Sequence, residues 1–524
     1  MTDLTSTDPT GTDLPRLSTA ALPRIASDPS ATTPTAVPSY DRAATRPGIV
    51  HIGVGGFHRA HQAMYLDRLM TRGRALDWAV TGLGVMPSDV RMRDALAGQD
   101  HLYTLTTKAP DGAEDRRVIG SITGYVFAPD DPGAAVRLLT DPSTRIVSLT
   151  VTEGGYNTDH VTGGFLTGQE HVAHDTAELR AGRTGDLRTF FGLVTAALAG
   201  RRAAGATPFT VMSCDNIQGN GDVARRAFTA FAEGVDADLA AWVRDHVAFP
   251  NSMVDRITPE TTDDDRADIR RRGYVDAWPV VAEDYTQWVL EDSFTDGRPP
   301  LEEVGVEVVA DVVPYELMKL RLLNASHQAL CYLGYLAGNR MVHDVMADPR
   351  FRRFLLAYME REATPTLRPL PGVDLDRYRH TLIERFGNTA VKDTVARLCA
   401  ESSDRIPKWL LPVVRENLAA GRPVLLAAAV VAAWARYAEG TDEQGRPIRV
   451  VDRMADRLTA AAQGYRTDPL SFLRDREVFG DLVDEPRFTA AYARVLESLH
   501  TRGADATLDL LLAELDAEAA AGSE

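Results

Sequence analysis

Glu316, Lys319, Asn324 and His327 lie close together just past the middle of the chain. Residues 315–327 contain no proline, glycine or β-branched residue, which predicts a helix. At about 100° per residue, the four side chains share one arc of about 140°, and Leu, Met and Ala fill much of the remaining circumference. This pattern predicts a helix that is buried on most sides and carries one polar face.

The polar face combines the groups that oxidation of an alcohol requires. A lysine among apolar side chains loses solvation of its charged form, so we expect the pKa of Lys319 to fall toward neutrality and the amine to act as a general base. Asn324 can donate to the oxygen that becomes alkoxide and then carbonyl. His327 can bind the same hydroxyl, and Glu316 can pass the proton onward. The alternative is structural: a buried Glu316–Lys319 ion pair, with the amide and imidazole satisfied in the core.

Lysine is rare in this chain. Four of the 57 basic residues are lysines, at positions 108, 319, 392 and 408, and the other 53 are arginines. Arginine stays charged, whereas lysine can lose its proton when it is desolvated. Lys319 is therefore the lysine whose expected chemistry arginine cannot perform.

The sequence GVGGFH, which begins at Gly53, follows a predicted strand and precedes a predicted helix. Glycines at such a turn let the backbone approach a pyrophosphate. Gly53 and Gly55 match the first two glycines of the fingerprint G-x-G-x-x-G, but His58 takes the third place. The place of this turn in a βα series favours a dinucleotide site over a tight turn without a ligand. We assign Gly53, Gly55, Gly56 and Phe57 to the cofactor.

Two polar residues follow other predicted strands. Asp89 follows the second strand, where a carboxylate can hold ribose hydroxyls, and an acid there favours NAD because a 2′-phosphate would meet like charge. The equal alternative is that Asp89 caps the helix near Val90. Asn216 can supply a second oxyanion donor, and it is equally typical of a turn.

Hydrophobic patterning defines the elements that must position these residues. Residues 1–45 predict an irregular N-terminal arm. Residues 46–304 alternate strands and helices, which predicts a Rossmann-type parallel sheet. Residues 305–524 predict a mainly helical domain, so the fold class is α/β followed by α-helical. The predicted strands are 49–53, 78–83, 145–152 and 209–213, and the predicted helices of the second half are 317–337, 348–362, 410–419, 424–438 and 486–500. An acidic, alanine-rich tail is expected after Leu512.

Composition excludes several classes of protein. The net charge is −17, which argues against nucleic acid or an anionic membrane as the main partner. Three widely spaced cysteines suit a reducing compartment and form no zinc motif. The N-terminus lacks signal-peptide features, and the longest strongly apolar run, 424–435, is shorter than the about 20 residues of a membrane span. We expect a cytoplasmic, monomeric protein whose partner is a small molecule.

With these residues assembled, the sequence resembles the polyol-specific long-chain dehydrogenases. The matching motifs are ordered along residues 48–410, and together they are specific. They are IVHIGVGGFHRAHQ at 49–62, TEGGY at 152–156, VMSCDN at 211–216, FPNSMVDRITP at 249–259, WVLED at 288–292, and the helix with Lys319, Asn324 and His327.

The resemblance implies a metal-independent oxidation of D-mannitol to D-fructose with NAD, and the reverse reduction. It implies a Rossmann-type domain, a helical domain and an active site in the cleft between them. The residue matching Lys319 is the base in that family, the amides matching Asn216 and Asn324 hold the reacting oxygen, and the histidine matching His327 contacts the substrate.

Further residues receive roles from the same resemblance. Asp255 matches a functional aspartate, and Arg397 and Arg405 match basic residues that bind substrate hydroxyls. Glu316 is grouped with them at the substrate, and Glu153 is assigned to the cofactor.

Two departures from the family pattern bear on specificity. A close family member has lysine where Arg405 stands, which affects the hydroxyl contacts. Ser88 stands where a second acid can occur, which predicts a looser preference for NAD. The alternatives are a sibling enzyme for another polyol or a uronate (D-arabinitol, or fructuronate and mannonate) and, more distantly, a non-catalytic nucleotide-binding protein.

Overall fold

A computed structural model describes residues 14–27, 34–159, 162–370 and 372–521. These residues form two compact units, of which the first ends at Val312 and the second begins at Val313. The first unit is α/β with a parallel sheet and the second is almost entirely helical, so the predicted fold class is confirmed. In the described ranges, no helix is long and apolar enough to cross a membrane.

The first unit is built on a five-stranded parallel sheet. Within the described residues the strands are β1 (Pro47–Ile52), β2 (Ala79–Gly84), β3 (Tyr103–Lys108), β4 (Glu114–Ile119), β5 (Ile122–Phe127), β6 (Ile146–Leu149), β7 (Thr210–Ser213), β8 (Ser252–Asp255), β9 (Val280–Glu283), β10 (Gln287–Glu291) and β11 (Glu307–Val309). The main sheet has the order β5-β2-β1-β6-β7. Ile49 packs on one face of it, whereas Val50 and Ile52 pack on the other. Because both faces are covered, the strands read as continuous apolar runs.

The strand order reverses beside β1. Chain order runs from β1 to β2 on one side and continues to β6 on the other. In open α/β sheets, ligands bind at the carboxyl ends of the strands where the order reverses. The turns after β1 and β6 therefore lie where a dinucleotide is expected. Two small sheets, β4-β3-β9 and β11-β10-β8, complete this unit.

Helices and the N-terminal segments surround the sheets of the first unit. The helices are α1 (Leu22–Ala26), α2 (Gly56–Ala60), α3 (Gln62–Thr71), α4 (Val90–Ala97), α5 (Pro132–Thr140), α6 (Thr152–Gly155), α7 (Glu170–Arg180), α8 (Phe190–Ala203), α9 (Asn220–Val235), α10 (Ala237–His246) and α11 (Asp263–Arg271). Part of the predicted arm, 1–13 and 28–33, lies outside the described residues. In the described part, Leu17, Leu22 and Ile25 pack against Leu102 and Tyr274.

The second unit is a helical assembly. Its α-helices are α12 (Val313–Met318), α13 (Ala325–Leu336), α14 (Val342–Ala347), α15 (Pro349–Tyr358), α16 (Leu375–Phe386), α17 (Val395–Cys399), α18 (Ser402–Trp409), α19 (Leu411–Ala419), α20 (Leu425–Ala438), α21 (Ala455–Gln463), α22 (Arg476–Phe479) and α23 (Pro486–Ala521). Asp348 caps α15 by accepting from the Arg350 amide at 2.8 Å. As far as Ala521, the acidic tail expected after Leu512 is part of α23, which kinks at Gly503.

Two predicted helices contain π-helical segments. The predicted helix 317–337 is α12 and α13 joined by the π segment Lys319–Asn324, and α15 continues into a second π segment, Met359–Ala363. The assumption of 100° per residue is therefore wrong across residues 319–324, since π segments form hydrogen bonds five residues apart.

His58, which stands where the fingerprint has its third glycine, stacks on a second buried histidine. The His58 ring stacks on the His51 ring of β1, with centroids 3.4 Å apart. His51 Nδ1 lies 2.8 Å from Ser148 Oγ, and its Nε2 lies 2.9 Å from Thr150 Oγ1. Burial lowers the pKa of both histidines, that of His51 to about 3. Two flat neutral rings thus let the helix after the turn pack closely on β1.

We expect this pair to make the first unit sensitive to acid. Folding lowers the pKa of His51, so its contribution to the free energy of unfolding is present above about pH 6.5 and is lost as the pH falls toward about 3. The slope is about 1.4 kcal/mol per pH unit for each such proton. Denaturant unfolding should show a shallower acid slope for His51→Asn than for wild type. Equal slopes in the two proteins would contradict this assignment.

Candidate functional site

The glycine turn after β1 is shaped by a backbone that only glycine adopts easily. Gly53 has φ +93°, and a Cβ there would lie 2.1 Å from the Thr150 carbonyl oxygen. Thr150 Oγ1 donates to the Gly53 carbonyl at 2.7 Å and joins the ends of β1 and β6. At Gly55 and Gly56 a Cβ would meet no protein atom closer than 3.8 and 3.5 Å, respectively. The turn therefore leaves a surface that a ligand backbone or phosphate can approach.

Phe57 lies at the start of α2, directly after this turn, and Asp89 follows β2. The half-buried Phe57 ring stacks on His61, with centroids 5.0 Å apart. Asp89 Oδ2 accepts from the Val85 and Met86 amides, each at 2.9 Å. Although Asp89 precedes α4, its side chain makes no capping bond to that helix. The predicted cap on α4 itself is absent; the carboxylate instead accepts from the amide that precedes the 3-10 turn Pro87–Asp89, which leads into α4, and it closes the loop after β2.

The loop after β6 is held in a strained conformation. Thr152 has φ +66°, which is unusual for a β-branched residue. Asp215 accepts from the Thr152 amide at 2.7 Å and from the Val151 amide at 3.2 Å, and Tyr156 donates to the same carboxylate. Burial raises the pKa of Asp215, while these donors oppose the rise. These bonds hold the strained start of α6, the short helix on which Glu153 is exposed.

Asn216 follows β7, and Asp255 is the last residue of β8. Asn216 is exposed, whereas Asp255 is buried. The two strands are connected by Ser252, whose hydroxyl donates to the Ser213 carbonyl at 2.7 Å, and by Asn220, which donates to the Ser252 carbonyl at 2.8 Å. The hydrogen bonds join the end of β7 to the start of β8, so both predicted residues lie on mutually supported elements.

In the second unit, Lys319 is a buried residue at the start of the π segment that interrupts the helix. Lys319, Glu316 and Asn324 are each about 5% exposed, and His327 is half-buried with its ring 4.8 Å from that of Phe386. The Ala325 amide donates to the Leu320 carbonyl, five residues back. This wider turn brings residues five apart onto one face, as residues four apart are in an α-helix. The backbone therefore sets Lys319 and Asn324 on one face of the segment, within a narrower arc than the predicted 140°.

The two predicted substrate arginines lie together on α17 and α18. Arg397 forms a fork with Asp393, with both N–O distances at 2.6 Å. Arg405 donates to the Arg397 carbonyl at 3.2 Å and to the Leu398 carbonyl at 3.3 Å. Gln328, one residue after His327, also donates to the Leu398 carbonyl at 3.2 Å. The Leu398 carbonyl therefore connects α13, which follows the π segment, to Arg405.

Comparison with known proteins decides the family. The model of the mannitol dehydrogenase Rossmann domain matches residues 47–303, and that of the mannitol dehydrogenase C-terminal domain matches 311–500. Mannitol 2-dehydrogenase from Phaeosphaeria nodorum is 46% identical over 477 residues, 90% of this chain and 82% of that protein. The chain belongs to the mannitol dehydrogenase family. The family resemblance inferred from the sequence is confirmed.

Two solved structures resemble this family member over nearly their whole length. Pseudomonas fluorescens mannitol 2-dehydrogenase, solved as a ternary complex with NAD and D-mannitol, is 45% identical, and the match covers 95% of this chain and 99% of that one with a TM-score of 0.81. A substrate-free D-sorbitol dehydrogenase is 36% identical, with 94% and 100% coverage and a TM-score of 0.87.

Sequence reasoning missed several groups that support the candidate site of this mannitol dehydrogenase family member, among them the buried Arg256 and Asp215. Arg256, directly after Asp255, donates to the Ala60 carbonyl at 2.6 Å and so fastens β8 to the end of α2. Asp215 and Thr152 fix the loop after β6. All three residues lie inside the family motifs quoted above, but no local pattern shows that Arg256 contacts Ala60 or that Asp215 holds Thr152. In the described part of the chain, no group of three or more His, Cys, Asp or Glu side chains could hold a metal ion.

Proposed function

We propose that the protein is an NAD-dependent polyol dehydrogenase that oxidises D-mannitol to D-fructose and catalyses the reverse reduction without a metal. Family membership supports this proposal, as does the relative that was solved with NAD and D-mannitol. The observation that carries it is the buried Lys319 on the π segment, whose wider turn sets Asn324 on the same face. That combination supplies a base and an amide donor, which alcohol oxidation requires.

The residues of the first unit fit a dinucleotide. NAD, when bound, accepts the hydride from the carbinol carbon. Gly55 and Gly56 leave the turn open to a pyrophosphate, and Phe57 lies beside them. Asp89 uses Oδ2 for two loop amides, and a carboxylate has further lone pairs for ribose hydroxyls. We assign the exposed Glu153 to the cofactor as well.

The proposed proton path begins at the substrate hydroxyl. Lys319 takes the hydroxyl proton, and Glu316, one turn earlier on the helix, passes it onward. Asn216 and Asn324 donate to the oxygen as negative charge develops, which is worth most where the donors are already oriented. His327 binds and orients the same hydroxyl.

We assign the remaining substrate hydroxyls to Asp255, Arg397 and Arg405. A guanidinium has five N–H donors, so the bonds of Arg397 to Asp393 and of Arg405 to backbone carbonyls leave donors for a polyol. The fork with Asp393 also fixes the orientation of Arg397, which reduces the entropy lost on binding.

A panel of polyols tests the function. NADH formation is measured by absorbance with D-mannitol, D-sorbitol, D-arabinitol and D-mannonate, each with NAD and NADP. We expect the highest kcat/KM with D-mannitol and NAD, and no loss of rate after treatment with EDTA. D-sorbitol is the second candidate, because a solved D-sorbitol dehydrogenase matches 94% of this chain. No reduction of either cofactor with any substrate would contradict the proposal and favour a nucleotide-binding protein.

Cofactor preference is expected to depend on the charge of Asp89. Asp89→Asn keeps an oxygen acceptor for the loop amides but removes the like charge that opposes a 2′-phosphate. The ratio of kcat/KM with NAD to that with NADP should fall about tenfold or more, equivalent to about 1.4 kcal/mol. Asp94→Asn is the matched control, since exposed Asp94 lies on α4 and pairs with Arg93. An unchanged ratio in Asp89→Asn would contradict the ribose assignment.

A further inference from the structure

A buried arginine lies inside the π segment, two residues after Lys319. The Arg321 side chain is only 7% exposed. Residues two apart on a helix do not face each other, so Arg321 extends to the side opposite Lys319. None of the roles proposed above uses this residue.

Arg321 is held by three hydrogen bonds from its guanidinium. Two parallel bonds reach the Glu416 carboxylate of α19, at 2.8 and 2.6 Å. The third reaches the Thr366 carbonyl at 2.6 Å, just beyond the second π segment. Such a fork is among the strongest and most directional interactions of a side chain. Tyr358 adds a bond at 3.3 Å to the backbone carbonyl of Arg321 itself.

These contacts act on a backbone that needs external support. A π segment is rare and widens the helix, and unusual backbone conformations persist only where the surroundings determine them. The two π segments of this unit pack against each other. Arg321 lies in the first, and its partner Thr366 follows the second, so the fork fixes the segment from the side away from Lys319.

We propose that Arg321 is a positioning residue whose fork on Glu416 holds the π turn and thereby aligns Lys319 with Asn324. Without the fork, the segment is free to approach a regular α-helix, in which the two side chains stand about 140° apart. This inference rests on the proposed function, since it assumes that Lys319 and Asn324 serve the reaction.

The proposed role of the fork is tested with three variants: Arg321→Met, Glu416→Gln and the double variant. We expect kcat for D-mannitol to fall about 10- to 100-fold in Arg321→Met, since small misplacements of reacting groups have effects of this size. The KM for NAD should change less than about twofold, because the proposed cofactor residues lie in the first unit. The double variant should be no worse than Arg321→Met, as expected for two residues that act as one unit. Arg321→Lys should remain impaired, because an ammonium cannot form the fork.

Two readouts separate positioning from general stability. With D-mannitol deuterated at C2, the isotope effect on kcat should increase, because misaligned groups slow the chemical step; a smaller folded fraction would leave the isotope effect unchanged. Hydrogen exchange of amides 319–325 should be faster in Glu416→Gln than in Arg415→Met. Arg415 is the matched control, because it lies next to Glu416 on α19 but pairs with exposed Asp481.

Each outcome decides the proposal. A folded Arg321→Met that keeps kcat within about twofold, or that loses rate with an unchanged isotope effect, would overturn it. If Arg321→Met does not fold, Glu416→Gln takes its place, because Glu416 is 46% exposed and tolerates the change. If the wild-type protein oxidises no polyol, the proposed function has failed. Hydrogen exchange then tests whether the fork holds the π segment. Equal exchange of amides 319–325 in Glu416→Gln and Arg415→Met would overturn that proposal.

Discussion

Replacing Lys319 with alanine is expected to lower kcat for D-mannitol oxidation by about 10²-fold or more, since loss of a general base typically has at least this effect. The buried lysine is the base of the proposed path, and no other lysine of the described residues is buried. Binding of NADH, measured by fluorescence titration, should be unchanged, because we assign the cofactor to residues of the first unit. Retention of more than about a tenth of the wild-type kcat would rule out the base assignment.

The Lys319→Arg variant separates positive charge from proton transfer. A guanidinium keeps the charge but does not release its proton, so we expect this variant to be inactive too. The wild-type rate should fall on the acid side, where the amine is protonated, and the residual rate of Lys319→Ala should lack this limb. Lys108→Ala is the matched control, because Lys108 lies in the first unit and 3.9 Å from Glu114. An active Lys319→Arg enzyme would leave the lysine with a binding role only.

The Rossmann-type sheet was predictable because buried parallel strands leave a strong local pattern. The segments 49–53 and 209–213 closely match Pro47–Ile52 and Thr210–Ser213, since runs of apolar residues there end at polar residues or glycine. The prediction 145–152 extends beyond Ile146–Leu149. Its last residues form the strained loop at Thr152, and the carboxylate that holds this loop comes from Asp215, far along the chain.

The helix with Lys319 was predictable, but its shape was not. Leucine, methionine and alanine favour helix, yet their propensities do not distinguish α from π geometry. The groups that hold Arg321 in the π segment lie 45 and 95 residues away, at Thr366 and Glu416. Grouping Lys319 with Asn324 was therefore possible from sequence, whereas their close alignment required the tertiary contacts.

The role of Asp89 after β2 also could not be predicted from the sequence, although the groups that it contacts are close to it in the chain. Sequence placed Asp89 correctly at the end of the second strand, but it left ribose binding and helix capping equal. In the structure the carboxylate turns back to two amides of its own loop instead of capping α4. The rotamer that decides between these roles depends on the loop conformation, which the residue types do not encode.

The second large effect is expected at the glycine turn, where Gly53→Ala should destabilise the protein by about 2–4 kcal/mol. A positive φ costs an L-residue about 1–2 kcal/mol. In addition, the new Cβ would lie 2.1 Å from the Thr150 carbonyl oxygen, so β1 and β6 must separate at their ends. That movement also breaks the hydrogen bond from Thr150 to Gly53. Denaturant unfolding and NADH titration measure both consequences.

Two other glycines turn this prediction into a test of the pyrophosphate site. Gly112→Ala introduces the same positive φ in open space, so it should cost only the backbone strain of about 1–2 kcal/mol and leave NADH binding intact.

Gly55 has an extended backbone with no protein atom nearer than 3.8 Å, so the stability of Gly55→Ala should stay within about 0.5 kcal/mol of wild type. If a pyrophosphate lies over Gly55, the added methyl group should weaken NADH binding about tenfold or more, or about 1.4 kcal/mol. A Gly53→Ala protein of wild-type stability would contradict the clash, and a Gly55→Ala protein with wild-type affinity would place the pyrophosphate elsewhere.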